Sequence, residues 1–202
     1  RRGTLGIDLA VFETQVDDEI GVSTNAGGRS TFQNVGRTQR RGAELAARWA
    51  PAAGWRAVLA ATWLDARYRD AFLTCAGIPC TAPTVGVPAG NRVAGTQRAS
   101  GFAELAWRGA TWGEWSLELR GLARTAVNDV NSDFAPGYGV AGLRWSQTVT
   151  LGSRHRLELL VRLDNLFDRA HVGSVIVGDA NGRFFEPGAP RNALLALRVV
   201  GF

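Results

Sequence analysis

The feature that most constrains this chain is an alternation of apolar and charged residues with a period of two. In the segment LELLVRLD, residues 157–164, aliphatic side chains occupy every second position, and Glu158, Arg162 and Asp164 lie between them. Successive side chains of a β-strand point to opposite faces, so this pattern predicts a strand with one apolar and one charged face. The apolar face requires either a second protein layer or lipid against it.

Segments of this kind recur about eight times along the chain. Their apolar faces are formed by Leu5, Ile7, Leu9 and Val11; by Ala43, Leu45, Ala47 and Trp49; by Trp55, Ala57, Leu59, Ala61 and Trp63; by Ala103, Leu105 and Trp107; by Trp115, Leu117, Leu119 and Ala123; by Ala141, Leu143 and Trp145; and by alternate residues of LELLVRLD and RNALLALRVVGF. From the second segment to the seventh, these apolar faces carry no charge. An arginine that faces lipid at the bilayer midplane costs roughly 2–4 kcal/mol, whereas one that faces an aqueous lumen costs little. The segregation therefore favours strands of a transmembrane β-barrel.

The tryptophans are spaced as in a membrane barrel. Trp55 and Trp63 share one face of the third segment and are eight residues apart, which is about 26 Å along a strand. With a strand tilt of about 40° the height becomes roughly 20 Å, close to the ~25 Å apolar band that aromatic girdles flank. Trp49, Trp107 and Trp115 lie beside short turns, where one girdle is expected. The alternative, tryptophans in the core of a β-sandwich, is disfavoured because strands average about 5–6 residues in such folds.

Short and long connections alternate along the chain, and this alternation predicts the orientation. Short turns fall at APAAGW, RGATWGEW and LGSRHR, and long connections span about residues 17–36, 66–97, 126–137 and 165–190. Outer-membrane barrels keep short turns in the periplasm and long loops outside. We therefore expect extracellular long loops and a C-terminus that faces the periplasm.

Composition narrows the alternatives further. The 23 basic residues are all arginine and are scattered, so the net charge of +5 does not form the basic run of a nucleic-acid-binding protein. No apolar run approaches 18 residues, so a transmembrane helix is not predicted. Cys75 and Cys80 enclose four residues in a loop rich in glycine, proline and threonine, which favours a disulfide in an oxidising compartment over two free thiols. Neither histidine is near them, so no metal site is predicted.

The C-terminal quarter, residues 161–202, reads VRLDNLFDRAHVGSVIVGDANGRFFEPGAPRNALLALRVVGF. It resembles the last loop and last two strands of TonB-dependent outer-membrane receptors of the siderophore-receptor type, which carry Asn-Leu-Phe-Asp after an alternating strand and Pro-Gly and Arg-Asn before a strand that ends in phenylalanine. The matching residues are Asn165, Leu166, Phe167, Asp168, Pro187, Gly188, Arg191, Asn192 and Phe202. Upstream, a weaker Asn-x-Gly…Gly-x-Glu-Leu pattern of the same barrels matches Asn34, Gly36, Gly42, Glu44 and Leu45.

The resemblance implies an all-β, antiparallel, up-and-down transmembrane barrel segment of about eight long strands, a fragment of a 22-stranded barrel. Residues 1–202 would be its C-terminal part, with the plug domain and the early strands absent; the lack of methionine also leads us to expect a fragment or a processed product. The implied function is uptake of a ferric siderophore or similar scarce ligand in the bacterial outer membrane. The implied partners are the plug, TonB with its inner-membrane motor, outer-membrane lipid and the barrel-assembly machinery. The iron chelate would be cargo, and no cofactor is expected.

In that family, aromatic and arginine side chains of the outer loops contact the ligand together with the plug. The loop candidates here are Arg29, Phe32, Tyr68, Phe72, Arg92, Phe134, Tyr138, His171, Phe184 and Phe185. Arginine would suit an anionic ferric chelate, and the loop stapled by Cys75 and Cys80 is the predicted gate. For each residue, the simpler alternative is that it only stabilises its loop. We expect no catalytic residue: Asn165 and Asp168 are interpreted as turn residues, and no hydrolase constellation is present.

Two other folds fit the alternation. One is a complete eight-stranded outer-membrane barrel that acts as an anchor or adhesin, in which the first strand would pair with the last. The other is a secreted, disulfide-bearing β-sandwich that acts as a binding module, in which a second sheet would cover the apolar face. The last strand also poses a problem of register, because Arg198 shares the face of Phe202. Either Arg198 lies near the rim or the last residues leave the register.

Overall fold

The computed structural model describes residues 4–26, 29–75, 77, 80, 82–152 and 154–201. It is an all-β structure in these residues. The strands are β1 (Thr4–Val16), β2 (Ile20–Ala26), β3 (Arg29–Asn34), β4 (Thr38–Ala50), β5 (Trp55–Tyr68), β6 (Phe72–Thr74), β7 (Val85–Val87), β8 (Ala99–Gly109), β9 (Gly113–Leu122), β10 (Thr125–Ala126), β11 (Phe134–Ala135), β12 (Tyr138–Leu151), β13 (His155–Asp164), β14 (Val172–Val175), β15 (Phe185–Pro187) and β16 (Asn192–Gly201). The described residues contain no helix that is long and apolar enough to cross a membrane.

The eight long strands form one antiparallel sheet in the order β1-β4-β5-β8-β9-β12-β13-β16. Each long strand pairs with the next long strand along the chain, as the up-and-down prediction requires. β1 and β16 are the edges of the sheet, and in the described part of the chain they do not pair with each other. The closed eight-stranded barrel is therefore not what the chain forms. The sheet instead has the form of a segment of a larger barrel.

The long connections contain more regular structure than the sequence predicted. Four two-stranded sheets, β2–β3, β6–β7, β10–β11 and β14–β15, occupy the four predicted long loops. Register shifts interrupt the pairing of β2 with β3 and of β14 with β15. The strands of the other two hairpins, β6–β7 and β10–β11, are only two or three residues long. Interrupted or very short strands do not show a period-two pattern, so the sequence did not predict these hairpins. The three short turns lie where they were predicted.

No second layer covers the apolar face of the sheet in the described residues. Leu9, Leu59 and Leu119 are 70%, 42% and 49% exposed. The β-sandwich prediction required these side chains to be buried, so the structure rules that alternative out. The exposed apolar face is the face that we assigned to lipid.

The tryptophans form a continuous row near the short turns. Trp55 pairs with Trp107, Trp107 with Trp115, and Trp115 with Trp145, on four neighbouring strands. The ring centroids of Trp55 and Trp107 are 6.5 Å apart, and those of Trp115 and Trp145 are 6.2 Å apart. The sequence predicted a girdle from turn positions alone. It did not show that the four rings would be adjacent.

The apolar band ends sharply on the long-loop side. Ala43 pairs with Val11 on one side and with Trp63 on the other, and this is the last apolar row on these strands. Two residues further towards the long loops, Arg41 pairs with Glu13 and Asp65, and its Nε lies 3.1 Å from Glu13 Oε2. A switch from apolar to charged side chains on one face marks the level at which the strands leave the membrane.

The upstream motif has a structural explanation. The side chain of Asn34 accepts a hydrogen bond of 2.7 Å from the amide of Gly36. Gly36 has a positive φ of 73° and packs against Asp70, where a Cβ would lie 2.8 Å from Oδ2. Gly42 leaves room for the ring of Phe12 across the strand pair. These three residues shape the connection into β4 and its pairing with β1, which gives this part of the motif a structural role.

The last strand keeps its register through Gly201. Arg198 pairs with Glu158, and its Nη1 lies 3.4 Å from Glu158 Oε2 on the charged face. The apolar face consists of Leu195, Leu197 and Val199. Arg198 itself is thus accommodated on the charged face within the strand register. Phe202 lies outside the described residues.

Candidate functional site

The charged face of the sheet carries a connected network of arginine and carboxylate groups centred on Arg144. Its guanidinium nitrogens lie 2.9 Å from Glu104, 3.9 Å from Glu114 and 3.6 Å from Glu118. Glu104 and Glu118 are direct cross-strand partners, so their like charges require a cation between them. The other arginines that join these carboxylates are Arg56, Arg108, Arg120 and Arg162. The network makes the charged face of the sheet an ionic wall.

A cavity of about 270 Å³ lies on this face, where β9, β12, β13 and β16 approach the long loops. Its charged, polar and aromatic lining residues are Glu118, Arg120, Tyr138, Asp164, Asn165, His171 and Asn192. The rings of Tyr138 and His171 lie 4.3 Å apart between centroids. The His171 Nδ1 atom is 3.0 Å from the carbonyl oxygen of Arg169. The cavity can therefore offer guanidinium and amide donors beside an aromatic surface.

The Asn-Leu-Phe-Asp segment closes the neck of the last long loop. The buried Asn165 side chain donates to the carbonyls of Arg169 and Ala189, at 2.9 and 3.1 Å, and accepts from the Arg169 amide at 2.9 Å. Asp168 accepts from the amide of Arg191 at 2.8 Å. Both Asn165 and Asp168 adopt positive φ, 48° and 51°, a conformation that these residue types tolerate better than most. The geometry agrees with their interpretation as turn residues.

Replacing Asn165 with alanine should loosen this neck by about 2 kcal/mol, because it removes three hydrogen bonds from a buried group. Asn165→Gly is the matched control, since it also loses the bonds but adopts positive φ without strain. We expect faster amide exchange over residues 166–190 in both variants, and a larger loss of stability in the alanine variant. Unchanged exchange would show that the neck is held by other contacts.

The long loops are joined to one another near Tyr68, which is only 3% exposed. The Tyr68 hydroxyl donates to Asp129 Oδ1 at 2.7 Å, which links the connection after β5 to the one after β9. Arg92 and Asn131 are joined by two hydrogen bonds. The backbone amide of Arg92 donates to the side-chain oxygen of Asn131 at 2.8 Å, and the side-chain nitrogen of Asn131 donates to the backbone carbonyl of Arg92 at 3.0 Å. Gly178 of the last long loop donates to the carbonyl of Val127 at 2.9 Å. Three predicted loops thus form one assembly.

The carboxyl of Asp129 lies inside this assembly. Burial raises the pKa of Asp129 above its usual range, and the hydrogen bonds from the Tyr68 hydroxyl and the Ala94 amide act in the opposite direction. A second cavity, of about 430 Å³, adjoins Asp129 and is also lined by Cys75 and Phe184. Cys75 and Cys80 are joined by a disulfide, with Cα atoms 6.0 Å apart. The predicted gate therefore borders a cavity between loops.

An ion pair at the base of the first two long connections supplies a pH-dependent contact. The Arg37 guanidinium and amide donate to Asp70 and lower the pKa of that carboxyl to about 2. A carboxyl with a lowered folded pKa stabilises the fold above its unfolded value, roughly 3.9, and loses that contribution as pH falls towards 2. We expect the protection of amides near residues 36–38, measured relative to the intrinsic exchange rate at each pH, to fall below about pH 4 in the native chain. Asp70→Asn should show no such pH dependence in hydrogen-exchange mass spectrometry.

The structure separates the ten predicted loop residues into three groups. Tyr68 and Phe72 pack in a core cluster, Arg92 is held by Asp65 at 2.8 Å, and Phe134 lies under the Arg124 guanidinium, 4.7 Å from it. Tyr138, His171 and Phe184 line the two cavities. Arg29, Phe32 and Phe185 are exposed on β3 and β15. Sequence reasoning assigned Glu118 and Arg120 to the charged wall and not to a ligand site, although their alternation on the charged face was an available signal. It named Asn192 only as a motif residue.

Comparison with known proteins identifies this architecture. Residues 1–166 match the family model described as TonB-dependent receptor-like, β-barrel. The chain belongs to the TonB-dependent receptor β-barrel family. The receptor barrel is similar in fold to the siderophore receptor PiuA from Acinetobacter baumannii, with a TM-score of 0.76 and 16% identity over 98% of this chain and 26% of that one. It is similar to the ferric preacinetobactin receptor BauA from Acinetobacter baumannii, with a TM-score of 0.71 and 16% identity over 98% of this chain and 27% of that one. It is also similar to the ferric yersiniabactin uptake receptor FyuA from Yersinia pestis, with a TM-score of 0.70 and 19% identity over 98% of this chain and 28% of that one.

The receptor barrel spans about a quarter of the length of these solved chains. Its family and its structural neighbours are transport receptors and not enzymes. The family match ends at residue 166, so most of the C-terminal motif that suggested the family lies beyond it. For residues after 166, the similarity rests on the fold of the solved receptors, which match 98% of this chain. Among the described residues, no group of three or more histidine, cysteine or acidic side chains could hold a metal ion.

Proposed function

We propose that this receptor barrel is the C-terminal part of an outer-membrane transporter that imports a ferric siderophore or a similar scarce chelate with energy from TonB. The observation that carries the proposal is the match of almost the entire chain to ferric siderophore receptors. A plug domain would occupy the concave side, against the wall centred on Arg144. The long loops would face the exterior, and the short turns and the C-terminus would face the periplasm. The barrel-assembly machinery would insert the receptor into the outer membrane.

The cavity beside Tyr138 and His171 is the proposed ligand-contacting surface of this segment. It lies on the concave face at the level of the long loops, where a ligand would enter the lumen. Arg120 has a half-exposed side chain and donates to Glu118 at 3.2 Å, so other guanidinium donors remain for an anionic ligand. Of the ten loop candidates, we keep Tyr138 and His171 for direct contact. The exposed Arg29, Phe32 and Phe185 remain proposals.

The test is uptake by the full-length receptor in a strain that lacks its other iron receptors. Radiolabelled iron would be offered as ferric citrate, a ferric tris-catecholate and a ferric hydroxamate. We expect TonB-dependent uptake of one of them, reduced about tenfold by Arg120→Ala, as loss of a charged hydrogen bond predicts. Arg183→Ala, at an exposed loop arginine, is the control. No uptake of any iron complex would refute the iron assignment.

A metal other than iron is the second candidate. The copper transporter OprC matches 98% of this chain with a TM-score of 0.70 and 18% identity. The fold is therefore compatible with copper cargo as well as with iron chelates. Copper(II) salts belong in the same uptake assay, and copper uptake without iron uptake would favour this alternative.

A further inference from the structure

The apolar outer face of the sheet contains a groove of about 540 Å³. Its floor is formed by Ala47, Ala57 and Ala103, and its sides by Leu5, Trp49, Leu59, Leu105, Leu117 and Leu119. The lining is almost entirely apolar. Glu104 borders the groove, but its carboxylate is directed to Arg56 and Arg144 on the other face.

The groove has a defined depth in the apolar band. Ala57 pairs with Leu105, one row beyond the Trp55–Trp107 pair, and Leu59 pairs with Ala103 one row further. It therefore begins just inside the tryptophan row and extends towards the middle of the band. This places it in the bilayer leaflet on the side of the short turns.

We propose that this groove holds an acyl chain of a phospholipid, which stays with the receptor as a resident lipid. The groove is continuous with the lipid-facing surface of a membrane barrel, and its almost entirely apolar lining suits an acyl chain better than a polar ligand. Within lipid there is no hydrophobic drive for association, so contact energy comes from packing. Alanine side chains between protruding leucine and tryptophan side chains surround a methylene chain on more than one side, which multiplies the small dispersion contacts. The inference is independent of the transported ligand.

The experiment uses the full-length receptor in a nonionic detergent, titrated with palmitoyl-oleoyl phosphatidylethanolamine and analysed by native mass spectrometry. Ala57→Leu fills the floor of the groove. Ala61→Leu is the matched control, because Ala61 lies on the same strand and face, is also half-buried, and does not line the groove. We expect Ala57→Leu to reduce the bound lipid about fivefold, since it displaces several methylene groups from contact. Ala61→Leu should bind as the unmodified receptor does.

A second measurement needs no groove-filling variant. A phospholipid brominated on its acyl chain should quench the fluorescence of Trp49, measured as the difference between the unmodified receptor and Trp49→Phe. Absence of that quenching would overturn the proposal. Equal lipid binding by the unmodified receptor, Ala57→Leu and Ala61→Leu would also overturn it. So would disulfide cross-linking of two receptors through Ala57→Cys, because the groove would then be covered by a second copy of the chain.

Discussion

Replacing Arg144 with methionine is expected to destabilise the receptor barrel by about 3 kcal/mol, because it removes the guanidinium contacts to the largely buried Glu104 and Glu118 and leaves both carboxylates with fewer cations. Glu104 and Glu118 would then face each other across β8 and β9 with their shared cation missing. Methionine keeps most of the side-chain volume, so the loss would be electrostatic. Urea unfolding of the full-length receptor, folded in detergent and followed by tryptophan fluorescence, gives the change in free energy.

Arg108 provides the control for this substitution. Its guanidinium also belongs to the network, but the side chain is 72% exposed and, among the described residues, pairs only with Glu114, at 2.7 Å. An exposed ion pair contributes about 0–1 kcal/mol, so Arg108→Met should change the free energy of unfolding by less than about 1 kcal/mol. Equal effects at the two positions would mean that the network acts only through its total charge, and the central role of Arg144 would be wrong.

Replacing Gly113 with alanine should cost about 3 kcal/mol or more and displace the turn between β8 and β9. Gly113 has a φ of 71°, which costs a residue with a Cβ roughly 1–2 kcal/mol. A Cβ at this position would also overlap the carbonyl oxygen of Ser146 on β12, and that is a backbone atom. Relief requires the turn and β12 to separate. The thermal shift of the folded band in gel electrophoresis and urea unfolding both report this loss.

Substitution of Gly152 measures the cost of the backbone conformation without the steric clash. It lies in the next short turn with a φ of 67°, and a Cβ there would meet no atom within 4 Å. Gly152→Ala should therefore cost only the conformational part, about 1–2 kcal/mol. If both alanine variants were equally destabilised, close approach of β12 to the turn would not be the reason for glycine at position 113.

The architecture could be predicted from the sequence because a barrel strand encodes its surroundings locally. The alternation of Leu157, Leu159, Val161 and Leu163 with Glu158, Arg162 and Asp164 indicates which face is apolar, without knowledge of distant residues. The strand order could also be predicted, because in an up-and-down barrel each long strand pairs with the next long strand along the chain. What the alternation could not show was the adjacency of Trp107 and Trp115, which depends on register across the turn.

The site was less predictable, because its contacts join residues that are far apart in sequence. Tyr68 was proposed as a ligand contact, yet it is buried against Asp129, which the sequence placed in a different loop. Arg92 was proposed to bind an anion, but its guanidinium already lies 2.8 Å from Asp65, a carboxylate that it shares with Arg67. Burial and ion pairing of this kind arise from loop packing and have no local signature. Asn165 and Asp168 were predicted as turn residues because their preference for positive φ is intrinsic.

The hydrogen bonds that join Tyr68 to Asp129 and Arg92 to Asn131 have a consequence for engineering. Replacing residues 66–97 alone with those of another member of the family would leave the carboxyl of Asp129 without its tyrosine donor. Replacing residues 126–137 alone would leave the Tyr68 hydroxyl without its carboxylate acceptor. Chimeras should therefore exchange both stretches together.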